Sequence, residues 1–252
     1  MARSTGPTAA IAGIAPGVQA QGVWAGRRQL FVRFAAEAET AVLYNPEMLA
    51  KQLERSAGQS PLHSISLCGR DPLASADLIA GAFEHWRAPL PVIIDCDGQR
   101  PDAVSMVAPG IAMLQVTYEF ADNPALGERV LSTLANASES GVDHALALAP
   151  RDGTSDGQIL RFVEQTHATA PGTKIVVHPV PGAERGSLDR RYATLLEQSM
   201  AIHRDTELVM RIPGPVSVPS ARRSAWARAL RPRRSAWCSA IMREGRAPAS
   251  AR

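Results

Sequence analysis

The chain has 252 residues, 45% hydrophobic and 20% charged, which is enough apolar material for one packed domain or two small ones. It has no run of 18 or more apolar residues, and residues 1–15 lack the leucine-rich core of a secretory signal. We therefore expect a cytoplasmic protein with no membrane span. Its three cysteines, Cys68, Cys96 and Cys238, are too widely spaced for a disulfide framework or a zinc ribbon.

The net charge of +3 is unevenly distributed. Residues 221–252 contain nine arginines and one glutamate, a net charge of +8, so the rest of the chain carries −5. The pentapeptide RRSAW occurs twice in this tail, at 222–226 and 233–237. Its Arg/Ala-rich composition predicts a disordered, low-complexity segment. The alternatives are a Trp-bearing arm that contacts nucleic acid or an acidic partner, and a tail produced by an altered reading frame.

Apolar runs and helical patterns alternate through the rest of the chain. Strands are predicted at 28–35, 63–67, 91–95, 112–118, 144–148, 174–178 and 207–212. Helices are predicted at 46–56, 75–86, 101–107, 123–140, 155–169 and 188–203, the first with Asn45 as N-cap and Pro46 at its first position. This alternation predicts parallel βαβ units, in either an open doubly wound sheet or a partial (β/α) barrel. In both, polar residues just after the strand ends should line the functional site.

The first predicted strand and its lead-in carry a resemblance to a known family. Residues 18–35, VQAQGVWAGRRQLFVRFA, are similar to IQGEGPYVGRRQIFVRFAGC in radical S-adenosylmethionine (SAM) enzymes of the 7-carboxy-7-deazaguanine synthase type. Later segments resemble family motifs in the same order: 66–73 (SLTGGEPLL), 95–98 (ETNG), 113–119 (VSMDIK), 176–180 (VLQPV) and 209–213 (VRVIPQ). The resemblance covers roughly residues 11 to 218 and implies a partial barrel, so we expect a flexible lead at 1–15, this domain at 16–220 and the tail at 221–252.

In that family, the loop after the first strand carries three cysteines that hold a [4Fe–4S] cluster. The matching positions here are Glu37, Ala41 and Tyr44. Because such a cluster needs soft thiolate ligands, these three residues cannot replace the cysteines. The resemblance therefore implies a barrel that has lost its cluster, and we expect no metal at these positions.

The positions that correspond to the SAM pocket are also altered. The family's Gly-Gly-Glu turn pairs with the amino group of SAM, and here it reads Gly69, Arg70, Asp71, so that a bulky cation replaces one glycine. Asp95 keeps the acid of the next turn and Asp97 replaces its asparagine. These five residues are the implied remnant of a SAM site, since carboxylates can bind an ammonium group. The other interpretation is that the acids are solvated loop groups or helix N-caps.

Two cysteines suggest a separate hypothesis. Cys68 and Cys96 both come at the ends of predicted strands, and with Asp97 or His178 they could form a metal or redox site. The alternative is that both are small buried apolar residues.

Three functions remain open, and no catalytic residue is assigned. The first is a non-radical accessory protein that partners an intact radical SAM homologue or another enzyme subunit. The second is an enzyme with new chemistry at the barrel mouth, using Asp71, Asp95, Asp97 and Cys96. The third is the activity that the resemblance implies, a SAM-dependent ring contraction of a pterin on the route to deazaguanine nucleosides such as queuosine.

Overall fold

The computed structural model describes residues 6–58, 61–86, 89–120, 123–180 and 185–211. These residues form a nine-stranded sheet in the order β3-β1-β2-β4-β5-β6-β7-β8-β9. The strands are β1 Ala9–Val18, β2 Arg28–Phe34, β3 Val42–Tyr44, β4 Ser64–Gly69, β5 Val92–Cys96, β6 Met113–Glu119, β7 Asp143–Ala149, β8 Lys174–Val177 and β9 Thr206–Leu208. The helices are α1 Pro46–Ala57, α2 Ala76–His85, α3 Val104–Val107, α4 Pro124–Glu139, α5 Asp156–Thr169 and α6 Arg185–Ile202.

The sheet is mostly parallel, as predicted. β2 and β4 to β9 run parallel in chain order and correspond to the seven predicted strands, while β1 lies antiparallel between β3 and β2. The alternating pattern therefore produced the expected α/β fold, consistent with a partial barrel of the radical SAM type. The predicted end of the last strand, residue 212, and the tail at 221–252 with Cys238 lie outside the described residues.

Two strands were not predicted. Residues 9–15, expected within a flexible lead, form most of β1, and residues 42–44, expected in a loop, form β3. β1 is rich in alanine and glycine, which are under-represented in strands, so its sequence gives little signal. Its stability comes from its partners instead, because Ile14 pairs with Val32 of β2 and Ala9 with Tyr44 of β3.

Local sequence explains where two helices begin. Asn45 caps α1 by accepting a hydrogen bond from Met48 N at 2.8 Å, with Pro46 at the first helical position as predicted. Ser155 and Gln158 form a capping box at the start of α5. In the part of the chain that the structure describes, no helix has the length and apolar character needed to cross a membrane.

The two faces of the sheet differ in chemistry. We call the face that packs against the helices the outer face. Its side chains form one apolar cluster with the helices and include Leu30, Val32, Ile65, Leu67, Ile94, Leu114, Val116, Leu146, Leu148, Ile175 and Val177. The inner face carries the alternate residues, many of them polar or small. It includes Gln29, Phe31, Ser64, Ser66, Cys68, Ile93, Asp95, Gln115, Thr117, Ala145, Ala147 and Val176.

Candidate functional site

The carboxyl ends of the parallel strands meet at one end of the barrel, which we call the mouth. In sheets of this kind, ligands bind at that end. All five residues of the predicted SAM remnant lie near the mouth: Gly69 and Asp95 are at the ends of β4 and β5, and Arg70, Asp71 and Asp97 directly follow these strands. The location predicted from the sequence is therefore the one that the topology favours.

The segment that follows β2, residues 35–41, is the first mouth loop. Arg33 donates a hydrogen bond to Glu39 at 2.5 Å, and the backbone N–H of Ala36 donates to the same carboxylate at 3.1 Å. Burial raises the pKa of Glu39, but the Arg33 and Ala36 hydrogen bonds outweigh it, so the pKa lies below its usual range. The ionised carboxylate of Glu39 thus ties the loop to the end of β2 and to its own first residues.

The three positions matched to cluster cysteines do not form a shared site. Glu37 is exposed and its carboxylate lies 3.5 Å from Arg70 in a loose ion pair. Ala41 is exposed, and Tyr44 belongs to β3, where it pairs with Ala9. None of these side chains offers a thiolate.

The turn after β4 is tightly built. Gly69 has φ +104°, and an added Cβ would lie 2.4 Å from the carbonyl oxygen of Phe34, so only glycine is accommodated. Asp71 also has a positive φ, 41°, in the left-handed region that Asp tolerates better than most residues. Its carboxylate accepts a hydrogen bond from Arg100 Nε at 2.8 Å. Two of the predicted SAM contacts, Arg70 and Asp71, are therefore engaged within the protein.

Three neighbouring candidate site residues at the end of β5 lie in different surroundings. Asp95 belongs to the inner face, whereas Cys96 joins the apolar cluster of the outer face. Asp97 lies in the following turn and its Oδ1 accepts a hydrogen bond from Gln99 N at 3.2 Å. Asp95 and Cys96 thus face opposite sides of the sheet. Burial raises the pKa of the Cys96 thiol, and Asp97, Asp95 and Asp71 all lie near enough to add to the effect.

Asp95 is enclosed by a polar cluster. Thr117 donates a hydrogen bond to its Oδ1 at 2.8 Å, and Gln19, Gln21 and Gln115 also lie near its carboxyl group. The residue keeps some exposed area, yet burial of the carboxyl raises its pKa more than these neighbours lower it. Asp95 is consequently the predicted site residue with the clearest acid–base potential.

A segment absent from the predicted site covers this cluster. It is the β1–β2 loop, residues 19–27. Val23 N donates to Gln115 Oε1 at 3.0 Å, and Gly22 N donates to His178 Nε2 at 2.9 Å. Gly22 has φ +77°, and an added Cβ would lie 1.8 Å from Gln115 Oε1. The loop is therefore seated directly on the inner face.

His178 is neutral in this arrangement. Its Nδ1 donates to the carbonyl oxygen of Val209 at 2.7 Å, which leaves Nε2 as the acceptor for Gly22 N. Desolvation lowers the pKa of His178 to about 4. The sequence suggests His178 as one possible ligand of a site at Cys68 and Cys96. No local sequence pattern indicates that His178 holds the β1–β2 loop. The alternation of Gln115, Thr117 and Glu119 in an otherwise apolar strand does indicate that the inner face is polar.

The two cysteines do not form a common site. Cys68 lies on the inner face, beside Arg33 in the neighbouring strand, whereas Cys96 faces the opposite side of the sheet. Burial raises the pKa of the Cys68 thiol to about 12, with Asp95 adding to the effect. The hypothesis of a shared metal or redox site at these cysteines is therefore wrong. Within the described ranges, no group of three or more His, Cys, Asp or Glu side chains is placed to hold a metal ion.

Two cavities, of about 480 and 730 Å³, lie at the opposite end of the strands from the mouth. The smaller is lined by residues around Pro109 and Gly141, and the larger by apolar side chains that include Phe83, Trp86 and Met106. Neither includes a residue of the predicted SAM remnant.

Comparison with known proteins adds one finding. The structure is similar to the crystal structure of QueE from Escherichia coli, with a TM-score of 0.52 and 14% sequence identity over 82% of this chain and 95% of that chain. The chain has a QueE-like fold. No family model matches the sequence, and no curated protein matches it. At this identity, the likeness is evidence about the fold alone.

Proposed function

We propose that this chain is a cytoplasmic protein with the radical SAM fold that performs no radical chemistry and acts as an accessory or partner subunit of another enzyme. The QueE-like fold supports the first part, since QueE is a 7-carboxy-7-deazaguanine synthase. The composition of the first mouth loop supports the second part.

The observation that carries the proposal is how residues 35–41 are held. A [4Fe–4S] cluster of this enzyme class needs thiolate ligands from the segment that follows the first strand of the motif, which here runs through the loop 35–41 into β3. Glu37, Ala41 and Tyr44 stand at the matched positions, and Glu39 fastens the loop through Arg33 and Ala36 N instead. The donor set does not fit a cluster, so no reaction step is assigned to one.

The remnant of the SAM pocket argues for weak SAM binding at most. Asp71 is the natural partner for the amino group of SAM, but it pairs with Arg100 at 2.8 Å. Arg70 brings a positive charge to the same turn, and an ammonium group would be repelled there. Calorimetry with SAM measures this directly, and we expect an affinity no tighter than millimolar.

Reconstitution with iron and sulfide tests the loss of radical chemistry. The chain and E. coli QueE are treated in parallel under anaerobic conditions, and iron content and visible absorption are measured. We expect iron to be retained by QueE and not by this chain. A brown preparation of this chain that cleaves SAM to methionine and 5′-deoxyadenosine would overturn the proposal and restore pterin ring contraction as the function.

The partner role needs its own test. Affinity purification of the chain from its native host should recover an enzyme subunit, an intact radical SAM homologue being the expected one. Recovery of a monomer without any partner would contradict the accessory role, while leaving the loss of the cluster unaffected. Contact of the basic tail with nucleic acid stays a prediction, because the tail lies outside the described residues.

One observation favours repurposed chemistry as the second candidate. Asp95, whose pKa is raised by burial, lies next to Thr117 and Gln115 in the polar cluster of the inner face. Cys96 is removed from this candidate site, because it packs in the apolar cluster. Asp95→Ala and Asp71→Ala variants that both support normal growth of a host dependent on this gene would eliminate this candidate.

A further inference from the structure

Two histidines meet at the end of the barrel opposite the mouth. His167 lies in the last turn of α5 and is exposed, and His203 follows α6 and is only 2% exposed. Their Nδ1 atoms are 3.2 Å apart, and their ring planes are inclined by 79°. The pair joins the carboxyl ends of two neighbouring helices.

Hydrogen bonding fixes the orientation of the buried ring. His203 Nε2 contacts the carbonyl oxygen of Thr173, and because a carbonyl only accepts, Nε2 carries the proton. A neutral imidazole has one N–H, so Nδ1 of His203 presents a lone pair toward His167. His167 then donates from its own Nδ1 in the metal-free protein.

We propose that His167 and His203 form a binding site for a divalent transition metal ion. Two imidazole nitrogens that share a tetrahedral Zn²⁺ at about 2.0–2.1 Å are about 3.3–3.4 Å apart. The observed Nδ1 separation of 3.2 Å is close to that value, and the exposed His167 ring would turn so that both lone pairs point at the ion instead of at each other. Imidazole suits Zn²⁺, Cu²⁺ and Ni²⁺, so the ligand class follows from the donor atoms.

The surroundings of His203 match those of a metal ligand. Metal-binding histidines usually donate their second N–H to a backbone carbonyl or a carboxylate, which fixes the ring and raises its basicity. His203 makes this contact with Thr173, whose own hydroxyl donates to the carbonyl of Ala170 at 2.8 Å. Thr173 is fully buried, so the support is rigid.

Metal binding requires a tautomer change in the exposed ring. His167 must offer the Nδ1 lone pair, so its proton moves to Nε2 by exchange with solvent, and no net proton is released. Water completes the coordination, since the described residues gather no third His, Cys, Asp or Glu ligand at this point. The ion would link the ends of α5 and α6.

A Zn²⁺ titration of the full chain tests the site. After removal of metal with a chelator, calorimetry at constant pH should detect one ion bound per chain at this site. His167→Ala should weaken that binding by more than about ten-fold, because even the loss of an outer-shell partner of a metal ligand costs about 10–100-fold in affinity. His85→Ala is the matched control, because His85 is also an exposed histidine in the last turn of a helix, and it should leave the affinity unchanged.

Two further readouts keep the proposal falsifiable if His203 variants fail to fold. Zn²⁺ should raise the melting temperature of the wild type but not of His167→Ala, because an ion that binds only the native state stabilises it. Imidazole ¹⁵N spectra should show zinc-dependent shifts at Nδ1 of His167 and His203. Equal Zn²⁺ affinity in His167→Ala, shifts confined to other histidines, or no binding at millimolar Zn²⁺ would each overturn it.

Discussion

The outer and inner faces of the same sheet follow different rules. On the outer face, apolar side chains pack against helices in one cluster, and the sequence repeats this pattern from β2 to β8. On the inner face, Asp95, Gln115 and Thr117 lie beneath the β1–β2 loop, whose backbone N–H groups donate to Gln115 and His178. The outer face therefore supplies the packing that holds the fold together, whereas the inner face and the mouth hold the buried polar groups. The predictions below test this division.

The largest effect is expected in β5, where Ile93 and Ile94 are both fully buried but face opposite sides. Ile94→Ala removes part of the helix-packed cluster and should cost about 2–5 kcal/mol of unfolding free energy. Ile93→Ala should cost an amount at the lower end of that range, because its neighbours Ser66 and Met113 are outside that cluster. Urea unfolding measures both. A larger loss of unfolding free energy for Ile93→Ala than for Ile94→Ala would contradict the division between the outer and inner faces.

The second prediction concerns the seating of the β1–β2 loop. Gly22 and Gly141 both have positive φ, +77° and +68°. Of these two, a Cβ added at Gly22 would clash with the buried side chain of Gln115, whereas one added at Gly141 would meet no atom within 4 Å. Gly141→Ala should cost about 1–2 kcal/mol from backbone strain alone. Gly22→Ala should cost at least about 1 kcal/mol more, and hydrogen exchange at Val23 N–H should accelerate. Equal costs would show that the loop is not pressed against the inner face.

The third prediction uses pH. Because burial raises the pKa of Asp95 above its ordinary 3.8, the folded state holds this proton where the unfolded state has lost it. Stability therefore falls as pH rises through that window, by about 1.4 kcal/mol for each unit of pKa elevation. Asp95→Asn should remove this pH-dependent loss of stability. Its free energy of unfolding should therefore increase relative to that of the wild type as pH rises. Chemical unfolding from pH 4 to 7 measures the slope, with Asp143→Asn, at an exposed position, as the control. An unchanged slope in Asp95→Asn would mean that the carboxyl is not enclosed.

The smallest effect is expected in the first mouth loop. Glu39→Gln should cost about 0.5–1 kcal/mol at neutral pH, the range for a half-buried ion pair with an added backbone hydrogen bond. Because the pKa of Glu39 is lowered, the wild-type advantage should be lost as pH falls below the ordinary 4.5. Glu37→Gln is the matched control, since that side chain is 89% exposed, and no measurable change is expected. If the two variants behave alike, Glu39 does not hold the loop.

The sequence predicted best those parts of the fold that depend on local pattern. Strands β2 and β4 to β9, the helices and the Asn45 cap follow from apolar periodicity and turn chemistry. β1 and β3 were missed because their stability comes from pairing with each other and with β2, which short windows do not reveal.

The sequence indicated where the candidate residues lie in the fold, but not which residues they contact. Parallel strand ends must meet at one edge, so the general location of Asp71, Asp95 and Asp97 was accessible from the sequence. Their partners were not. Arg100 is 29 positions from Asp71, and His178 is 156 positions from Gly22, so these pairings form only when the whole sheet has assembled.

Gly69 also has a consequence for engineering. Its backbone packs so closely on Phe34 that the segments after β2 and β4 leave the barrel from one shared corner. If a foreign segment were inserted between Ala35 and Ala41, the position at which its backbone leaves β2 would be fixed, provided that Gly69 is retained. Substituting Gly69 would shift both segments at once, so transplants in this part of the molecule are best designed as a pair.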